Sequence, residues 1–416
     1  MAASEPQHHD HPSPTRRRPV RTRRWQPRAA LGFVLLLCPG LVEAQAAQTG
    51  IEERIPRFVN RDLIAEDSRI DWIGRADRPF PLREASAPFT LTYVHQGRTY
   101  TLDDYLRRSD ALGFIVLEDD QIIYERYLHG VGPMDRHLSM SVAKSVVSVL
   151  FGIALDEGLI RSVDDPVTRY LPSLGTSGYR DATLRDVLHM ATGVDFNEEY
   201  GNPDSDIAAL SRANRTGEPP FGEFAASLGS ENPPGTVFRY QSVNTQVLGV
   251  VLEEVTGMPL ARYAEEKLWR RIGTQNEAFI ITGEAQVSTC AYSCFYASLR
   301  DYARFGLMAM RGGEIGGTRV VSSAWIRDSS TPAPFAEPRP DGAGGCRRGY
   351  GYQWWIACGT EGAFQAVGIN GQSIYVDPSR RVVIAQFSAW PQAGASPEQR
   401  GERLVVFQAI VSALAP

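Results

Sequence analysis

A serine and a lysine stand three residues apart, Ser141 and Lys144, in the segment LSMSVAKSVVSVLFG (138–152). The lysine is unusual, because the chain has 43 Lys and Arg residues and only Lys144 and Lys267 among them are lysine. A guanidinium stays charged in proteins, whereas an ammonium with a lowered pKa can lose its proton. Residues three apart share one helix face, so the amine can reach the hydroxyl proton. The pair predicts a serine nucleophile with a lysine base.

The residues around Lys144 favour this chemistry over a solvated surface lysine. SVAKSVVSVL is too apolar for an exposed helix face, although S-x-x-K alone is a weak signal. A helix beginning here, capped by Ser139 or Ser141, would aim its positive end and free N–H groups at the pair. The four histidines past residue 46 lie at positions 95, 129, 137 and 189. They offer neither a Ser-His pair of the α/β-hydrolase kind nor a clustered metal site.

The pattern of apolar residues along the chain predicts the helices and strands that hold Ser141 and Lys144. GFIVLEDDQIIYERYLHG (113–130) predicts a β-hairpin that turns at Asp119-Asp120, and the helix that follows is expected to end near Gly158. The segment from about 160 to about 275 predicts mostly helices and loops. QAVGINGQSIYVDPSRRVVIAQFSAW (365–390) predicts three strands, and GERLVVFQAIVSALA (401–415) a closing helix. Strands from both chain ends around a helical insertion indicate an α/β layer plus an all-α lobe.

Residues 1–46 predict a secretory signal peptide. Seven arginines precede the apolar run 29–38 and a small-x-small site at Ala44 and Ala46, so cleavage is expected after about Ala46. The run is too short to span a bilayer, and bulky Leu37 disfavours lipid attachment at Cys38. Removing seven arginines and three acids leaves 36 Lys and Arg against 45 Asp and Glu, a net charge of −9. We expect a periplasmic or secreted protein with no nucleic-acid partner and no stable membrane insertion of the mature chain.

Four cysteines remain after the leader: Cys290, Cys294, Cys346 and Cys358. An even number in an exported protein predicts two disulfides, and of the three possible pairings we favour Cys290 with Cys294 and Cys346 with Cys358. A zinc site is the alternative, but nearby histidines and the usual paired spacing are missing. The sequence implies no metal and no organic cofactor.

Six motifs, taken in order, resemble a known family: SVAK, TLRDVLHMATGVDF, PGTVFRYQSVNTQVLG, SLRDYARFGLMAMRGG, YGYQWW and AVGINGQSIYVDP. They resemble the serine hydrolases of the class C β-lactamase and penicillin-binding protein superfamily, over roughly residues 85–416. Within it the chain is similar to the 6-aminohexanoate-dimer hydrolases, which cleave linear nylon-oligomer amides, and to related carboxylesterases.

The resemblance implies an α+β, β-lactamase/transpeptidase-like fold, in which an antiparallel sheet is flanked by helices and joined to an all-α lobe. Residues 47–84 would form an N-terminal extension. The hydrolase domain would comprise an α/β part, about 85–160 and 280–416, and a helical lobe of about 160–280.

Carried over to this sequence, the resemblance makes Ser141 the nucleophile, Lys144 its base partner and Tyr240 of FRYQS the group that moves a proton to the leaving group. A phenol beside an ammonium has its anion stabilised, so this role for Tyr240 is chemically sensible; a core tyrosine is the alternative. The backbone N–H groups of Ser141 and Ile369 would form the oxyanion hole. Gly368 would let the substrate approach closely.

Three aromatic residues are candidates for positions near the substrate. Tyr200 in DFNEEYGNP matches a tyrosine on a loop that closes over the amide in the nylon-oligomer hydrolases, with a packing anchor as the alternative. Trp354 and Trp355 would line the acyl pocket, although we expect one of them to belong to the core.

Two departures from the penicillin-binding pattern bear on the substrate. Ala366, followed by Val367, stands where those enzymes have the lysine that meets the substrate carboxylate. Ser242 takes the binding position where they carry an asparagine, and whether Asn244 substitutes stays open. We expect a small linear amide or ester as the substrate. The alternatives are a D-alanyl-D-alanine carboxypeptidase or class C β-lactamase, and a non-catalytic binding or sensing protein of the same fold. The sequence decides neither ester against amide nor the oligomeric state.

Overall fold

The computed structural model describes residues 50–60, 69–283, 289–335, 339–340, 347–358, 360–394 and 396–414. The strands are β1 Val59–Asn60, β2 Ile70–Ile73, β3 Arg83–Glu84, β4 Thr92–His95, β5 Arg98–Thr101, β6 Ala111–Glu118, β7 Gln121–Tyr127, β8 Arg136–Leu138, β9 Ala278–Ile281, β10 Phe295–Ser298, β11 Glu314–Ile315, β12 Thr318–Arg319, β13 Arg339–Pro340, β14 Arg347–Arg348, β15 Trp355–Ile356, β16 Phe364–Val367, β17 Ser373–Asp377 and β18 Val382–Ser388. The α-helices are α1 Ile51–Phe58, α2 Leu102–Arg108, α3 Val142–Asp156, α4 Leu184–Leu188, α5 Asp206–Thr216, α6 Phe221–Ala226, α7 Ser242–Thr256, α8 Leu260–Ala264, α9 Leu299–Met310, α10 Ser323–Ser329 and α11 Pro397–Ala413.

A seven-stranded sheet forms the centre of the fold, in the order β15-β16-β17-β18-β6-β7-β3. All of its pairs are antiparallel except the β3–β7 edge pair. Strand β18 pairs with β6 from Val382 opposite Glu118 to Ser388 opposite Ala111, so strands from both ends of the chain meet at the middle. The predicted hairpin, the predicted C-terminal strands and the antiparallel sheet are confirmed.

Helices cover both faces of this sheet, which explains why its central strands are apolar on both sides. On one face α9 lies so close that a Cβ at Gly306 would stand 2.6 Å from a Val383 methyl carbon. On the other face α2 and the closing helix α11 form a second apolar cluster with the sheet, in which Phe407 contacts Phe114. Each layer therefore buries an apolar surface that it could not bury alone.

A second sheet of five short strands, in the order β1-β8-β10-β9-β2, was not predicted from the sequence. Two of its strands come from residues 59–73, and β8 pairs with β1 and β10. Because β8 ends at Leu138, this sheet fixes the chain immediately before the segment with Ser141.

Helices, short 3-10 turns and loops fill the chain between Gly158 and Glu277, as predicted for the helical insertion. Helix α3 packs against α7 and is buried over 13 of its 15 residues. A Cβ at Gly152 would stand 2.4 Å from the Trp325 ring, so α3 also packs closely against α10. An apolar helix buried all round is a rigid platform for the residues in its first turn.

The structure has a disulfide between Cys290 and Cys294, with Cα atoms 5.5 Å apart, which confirms that predicted pairing. Cys346 lies outside the described residues, so its predicted bond with Cys358 stays a prediction. The predicted signal peptide also lies outside them. Over the described ranges, no helix combines the length and the apolar character needed to cross a membrane.

Candidate active site

The candidate nucleophile Ser141 lies at the junction between strand β8 and helix α3. It occupies the N-cap position of α3, but no side chain caps this helix, so the expectation of a serine cap is wrong. The hydroxyl instead faces the amine, and Lys144 Nζ donates to Ser141 Oγ at 3.0 Å. Because helical geometry puts these two residues on one face, the pair is formed within a single turn.

The backbone just before Ser141 is strained and firmly anchored. Met140 has a φ of +45°, which is uncommon for a residue with a side chain. Ser139 is tied to strand β10, because its N–H donates to the Phe295 carbonyl at 2.7 Å and its Oγ accepts the Phe295 N–H at 3.2 Å. Strain held by such anchors is typical of a functional residue whose position is fixed by its surroundings.

Lys144 is buried, with 1% of its surface exposed. Besides Ser141 Oγ, its Nζ donates to Ser242 Oγ at 3.1 Å and to the Tyr292 carbonyl at 3.0 Å. Burial lowers the pKa of Lys144 to about 8, against the opposing charge of Glu198. Lys144 can therefore lose its proton near neutral pH, whereas Lys267 is half-exposed and forms an ion pair with Glu157 at 2.6 Å.

The disulfide loop 290–294 contributes directly to these contacts. It contains Tyr292, whose carbonyl accepts from Lys144, and Ser293, whose carbonyl accepts from Ser139 Oγ at 3.2 Å. The Cys290–Cys294 bond therefore closes a small loop against the first turn of α3.

Tyr240 precedes helix α7, and its hydroxyl lies near enough to the Ser141 side chain for Ser141 to affect the pKa of the phenol. Lys144 Nζ stands 5.2 Å from the centroid of its ring. Burial raises the pKa of Tyr240, while the Ser141 side chain opposes that effect, so the phenol stays protonated. The ring is held by Trp355, which stacks on it at 5.5 Å, and by Tyr350, which meets it edge-on at 6.0 Å.

Two backbone N–H groups near Ser141 are available to an oxyanion. Neither Ser141 nor Ile369 uses its N–H in a hydrogen bond with another described residue. Gly368 brings strand β16 against the nucleophile, since a Cβ there would stand 3.0 Å from Ser141 N. Ile369 packs against the same small apolar cluster as Met140. The arrangement has the donors that a developing negative charge needs.

The predicted binding residues Ser242 and Tyr200 converge on a carboxylate that the sequence reasoning missed. Glu198 accepts from Ser242 N–H at 2.8 Å, from Ser242 Oγ at 2.5 Å and from Tyr200 OH at 2.7 Å. Burial raises the pKa of Tyr200, with a further contribution from the Glu198 charge. Glu198 stands 44 residues before Ser242 in the chain, and no motif or period marks it.

The remaining expectations separate into core and site positions. Asn244 is fully buried and accepts from Tyr179 OH at 2.8 Å, so it does not substitute as a substrate-binding amide. Ala366 is buried within β16. Trp354 is fully buried and stacks on Phe305, whereas Trp355 lies beside Tyr240. Across the described part of the chain, no cluster of three or more His, Cys, Asp or Glu residues is arranged to hold a metal ion.

Comparison with known proteins places the chain among hydrolases. The profile of the β-lactamase family matches residues 102–407. The 6-aminohexanoate-dimer hydrolase of Paenarthrobacter ureafaciens is 33% identical over 306 residues, 70% of this chain and 75% of that protein. A solved candidate 6-aminohexanoate-dimer hydrolase from Bacillus anthracis has a TM-score of 0.73 at 24% identity, over 83% of this chain and 92% of that one. A family VIII carboxylesterase has a TM-score of 0.58 at 17% identity, over 74% and 95%.

The two solved structures, at such low identities, show the fold alone. They confirm the β-lactamase/transpeptidase-like fold that the motifs predicted. The family profile covers well over half of the chain, and it includes Ser141, Lys144 and Tyr240. The profile and the curated relative together establish that this chain belongs to the β-lactamase family of hydrolases.

Proposed function

We propose that this chain is an exported serine hydrolase that cleaves a small linear amide or ester through an acyl-enzyme on Ser141. One observation carries the proposal: the buried Lys144 amine lies 3.0 Å from the Ser141 hydroxyl. The name of the 6-aminohexanoate-dimer hydrolase relative supports a linear amide, and that of the carboxylesterase neighbour supports an ester.

Acylation begins when neutral Lys144 takes the Ser141 proton as Oγ attacks the substrate carbonyl. The tetrahedral oxyanion forms between the N–H groups of Ser141 and Ile369. Tyr240 is protonated, so it donates its hydroxyl proton to the leaving nitrogen or oxygen as the bond to the carbonyl carbon breaks. The Lys144 ammonium then returns a proton to the phenolate, and the serine proton has in effect passed to the leaving group.

Deacylation reverses these roles with water as the nucleophile. Water attacks the Ser141 ester and gives its proton to the Lys144–Tyr240 pair, the same oxyanion site stabilises the intermediate, and Ser141 Oγ recovers a proton as the acid leaves. Every proton is exchanged between groups that lie within the site, so the cycle needs no added acid or base.

The walls of the site support a substrate without a carboxylate next to the scissile bond. Ala366 is buried and carries no charge at the position where penicillin-binding enzymes have a lysine. Trp355 places an aromatic face beside Tyr240. A carboxypeptidase or β-lactamase would have to hold a substrate acid without that cation.

Mass spectrometry of the intact protein tests the reaction class. After brief exposure to activated esters, linear amides and β-lactams, we expect an ester or amide acyl group on Ser141 and no adduct in Ser141→Ala. A stable penicilloyl adduct would favour a carboxypeptidase or β-lactamase activity instead. The absence of both an adduct and turnover across the panel would favour a binding protein.

The second lysine provides a matched control for the base. Lys144→Arg keeps the charge but cannot accept a proton, so we expect it to abolish hydrolysis of a short-chain p-nitrophenyl ester. Lys267→Arg makes the same change in a surface ion pair and should keep full activity. Full activity in Lys144→Arg would refute the base role.

Export is tested by fractionating an expressing bacterium. We expect active protein outside the cytoplasm with a new N-terminus near residue 47. Active protein confined to the cytoplasm with an intact leader would contradict this part of the proposal.

A further inference from the structure

Glu198 has no part in the reaction scheme above, yet it accepts a hydrogen bond from Ser242, whose hydroxyl oxygen accepts from the base Lys144. It lies on the loop between α4 and α5, half-buried, and both of its oxygens accept from Ser242. Its neighbour Glu199 is exposed and accepts from Asn202 at 2.9 Å. The two adjacent carboxylates therefore have different surroundings, which makes one a control for the other.

The direction of each hydrogen bond around Lys144 follows from this contact. A carboxylate can only accept, so the Ser242 hydroxyl proton points to Glu198 Oε1 at 2.5 Å. Ser242 Oγ must then present a lone pair to Lys144, and the Tyr292 carbonyl can likewise only accept. A neutral amine has two protons and one lone pair. With its two protons directed at Ser242 and Tyr292, the lone pair of Lys144 faces Ser141.

We propose that Glu198 is a positioning residue, which holds the Ser242 proton, so that among the three groups hydrogen-bonded to Lys144 Nζ only Ser141 has a proton to give to the neutral amine. This inference rests on the proposed function and extends it beyond Ser141, Lys144 and Tyr240. It also assigns Ser242 a place in the hydrogen-bond chain of the base, in addition to any contact with substrate.

The charge of Glu198 acts on Lys144 in a second way. The titratable groups that face Lys144 are Glu198 across Ser242 and the phenols of Tyr240 and Tyr292, whose ring centroids lie 5.2 Å and 5.4 Å from Nζ. Among the charged groups around it, Glu198 is the one that opposes the effect of burial on the pKa of Lys144. Removal of this charge should therefore favour the neutral amine.

Glu198 also connects the base to the loop of Tyr200. Tyr200 OH donates to the same Oε1 that accepts from Ser242. A carboxylate oxygen that accepts two hydroxyl protons fixes the direction of both, so the orientation of Tyr200 and that of Ser242 depend on one atom.

The chain allows a direct test, because it has only two lysines. Protein grown with lysine labelled with carbon-13 at Cε should give two side-chain resonances, and Lys267→Arg identifies the signal of Lys144. In Glu198→Gln the titration midpoint of Lys144 should move down by about half a pH unit or more. Glu199→Gln should leave it unchanged. An unmoved midpoint in Glu198→Gln would overturn the electrostatic part, and this readout needs no substrate.

Kinetics test the orientation of the amine. In Glu198→Gln the amide can donate to Ser242, which frees the Ser242 proton to occupy the Lys144 lone pair, so kcat should fall by about tenfold to a hundredfold at every pH. Ser242→Ala should also lower kcat, because it removes the acceptor that directs one Lys144 proton away from Ser141. The double variant should be no slower than the slower single variant, because both changes act on the same hydrogen-bond chain. Additive losses, or a wild-type kcat in Glu198→Gln, would overturn the proposal.

The two measurements separate this proposal from the proposed function. If wild-type protein forms no acyl-enzyme and turns over no ester, the proposed function fails, whatever the titration shows. If the wild type is acylated on Ser141 but Glu198→Gln matches it in midpoint and kcat, only the role of Glu198 fails. Should Glu198→Gln not fold, as judged by near-UV circular dichroism, Ser242→Ala carries the test: a wild-type kcat there would overturn the proposal.

Discussion

Replacement of Gly368 by alanine should disrupt the candidate oxyanion hole while leaving the side chains of Ser141, Lys144 and Tyr240 chemically unchanged. Gly368 has an extended backbone, with φ −113° and ψ 158°, that alanine adopts without strain. Its added Cβ would stand 2.8 Å from the Ser139 carbonyl oxygen and 3.0 Å from Ser141 N, whereas ordinary contacts begin at 3.4 Å. The end of β16 and the first turn of α3 must therefore separate.

The size of the effect on kcat depends on whether the end of β16 or the first turn of α3 moves. Ser139 is held by Phe295 through a 2.7 Å backbone bond, so the end of β16 with Ile369 is expected to shift, by about 0.6 Å. Such a shift takes a donor from about 2.9 Å to about 3.5 Å from an oxyanion, beyond hydrogen-bond range. Loss of one donor lowers kcat by about 100- to 1000-fold, and the overpacking costs about 1 to 3 kcal/mol of the free energy of unfolding.

The assay is steady-state hydrolysis of a p-nitrophenyl ester, with the active sites counted by the acylation burst. We expect kcat to fall by the stated factor in Gly368→Ala while near-UV circular dichroism shows a folded protein. Gly222→Ala is the control, since a Cβ at Gly222 meets nothing within 4 Å. A folded Gly368→Ala variant with kcat within about threefold of the wild type would refute the placement of the oxyanion at this edge.

Three further predictions concern the base, the acid and the support of the site. Burial lowers the pKa of Lys144 to about 8, and only its neutral form accepts a proton. We therefore expect kcat/KM to rise about tenfold per pH unit below that pKa and to level off above it. A profile that is flat from about pH 6 to about pH 9 would contradict the base role. Tyr240→Phe should slow amide hydrolysis by about 100-fold or more but p-nitrophenyl ester hydrolysis much less, since p-nitrophenolate leaves without a proton. Equal decreases in the two hydrolysis rates would argue that Tyr240 does not protonate the leaving group. Phe58→Ala removes a buried ring from the cluster with Met140 and Ile369, so it should lower the free energy of unfolding in denaturant by about 3 to 5 kcal/mol. Glu53→Ala, on the exposed face of the same helix, is the control and should change that free energy little. A small decrease in Phe58→Ala would show that α1 does not support the site.

The features that could be predicted from the sequence depend on neighbours along the chain. Ser141 and Lys144 share a helix face because they are three residues apart, and the apolar run after them predicts a buried helix. The hairpins at 111–127 and 364–388 follow from strand runs broken by turn residues. Cys290 and Cys294 are also close in sequence, and their pairing was favoured correctly.

The five-stranded sheet could not be predicted, because its strands are two to four residues long and come from distant parts of the chain. Strands this short carry too few residues for an alternating pattern to be recognised. The capping role expected for serine was wrong because a propensity for the cap position does not include the competing contact with Lys144.

The composition and local spacing of this chain are enough to indicate the reactive pair, since a lysine in an arginine-rich protein and its serine are neighbours on one turn of helix. The surroundings that tune the pair come from elsewhere: Ser242 stands 98 residues and Tyr292 148 residues from Lys144. The pKa of an amine depends on how deeply it is buried and on which charges lie near it. Those quantities exist only after distant segments have packed together, so the burial of Lys144 and the position of Glu198 are properties of the tertiary structure.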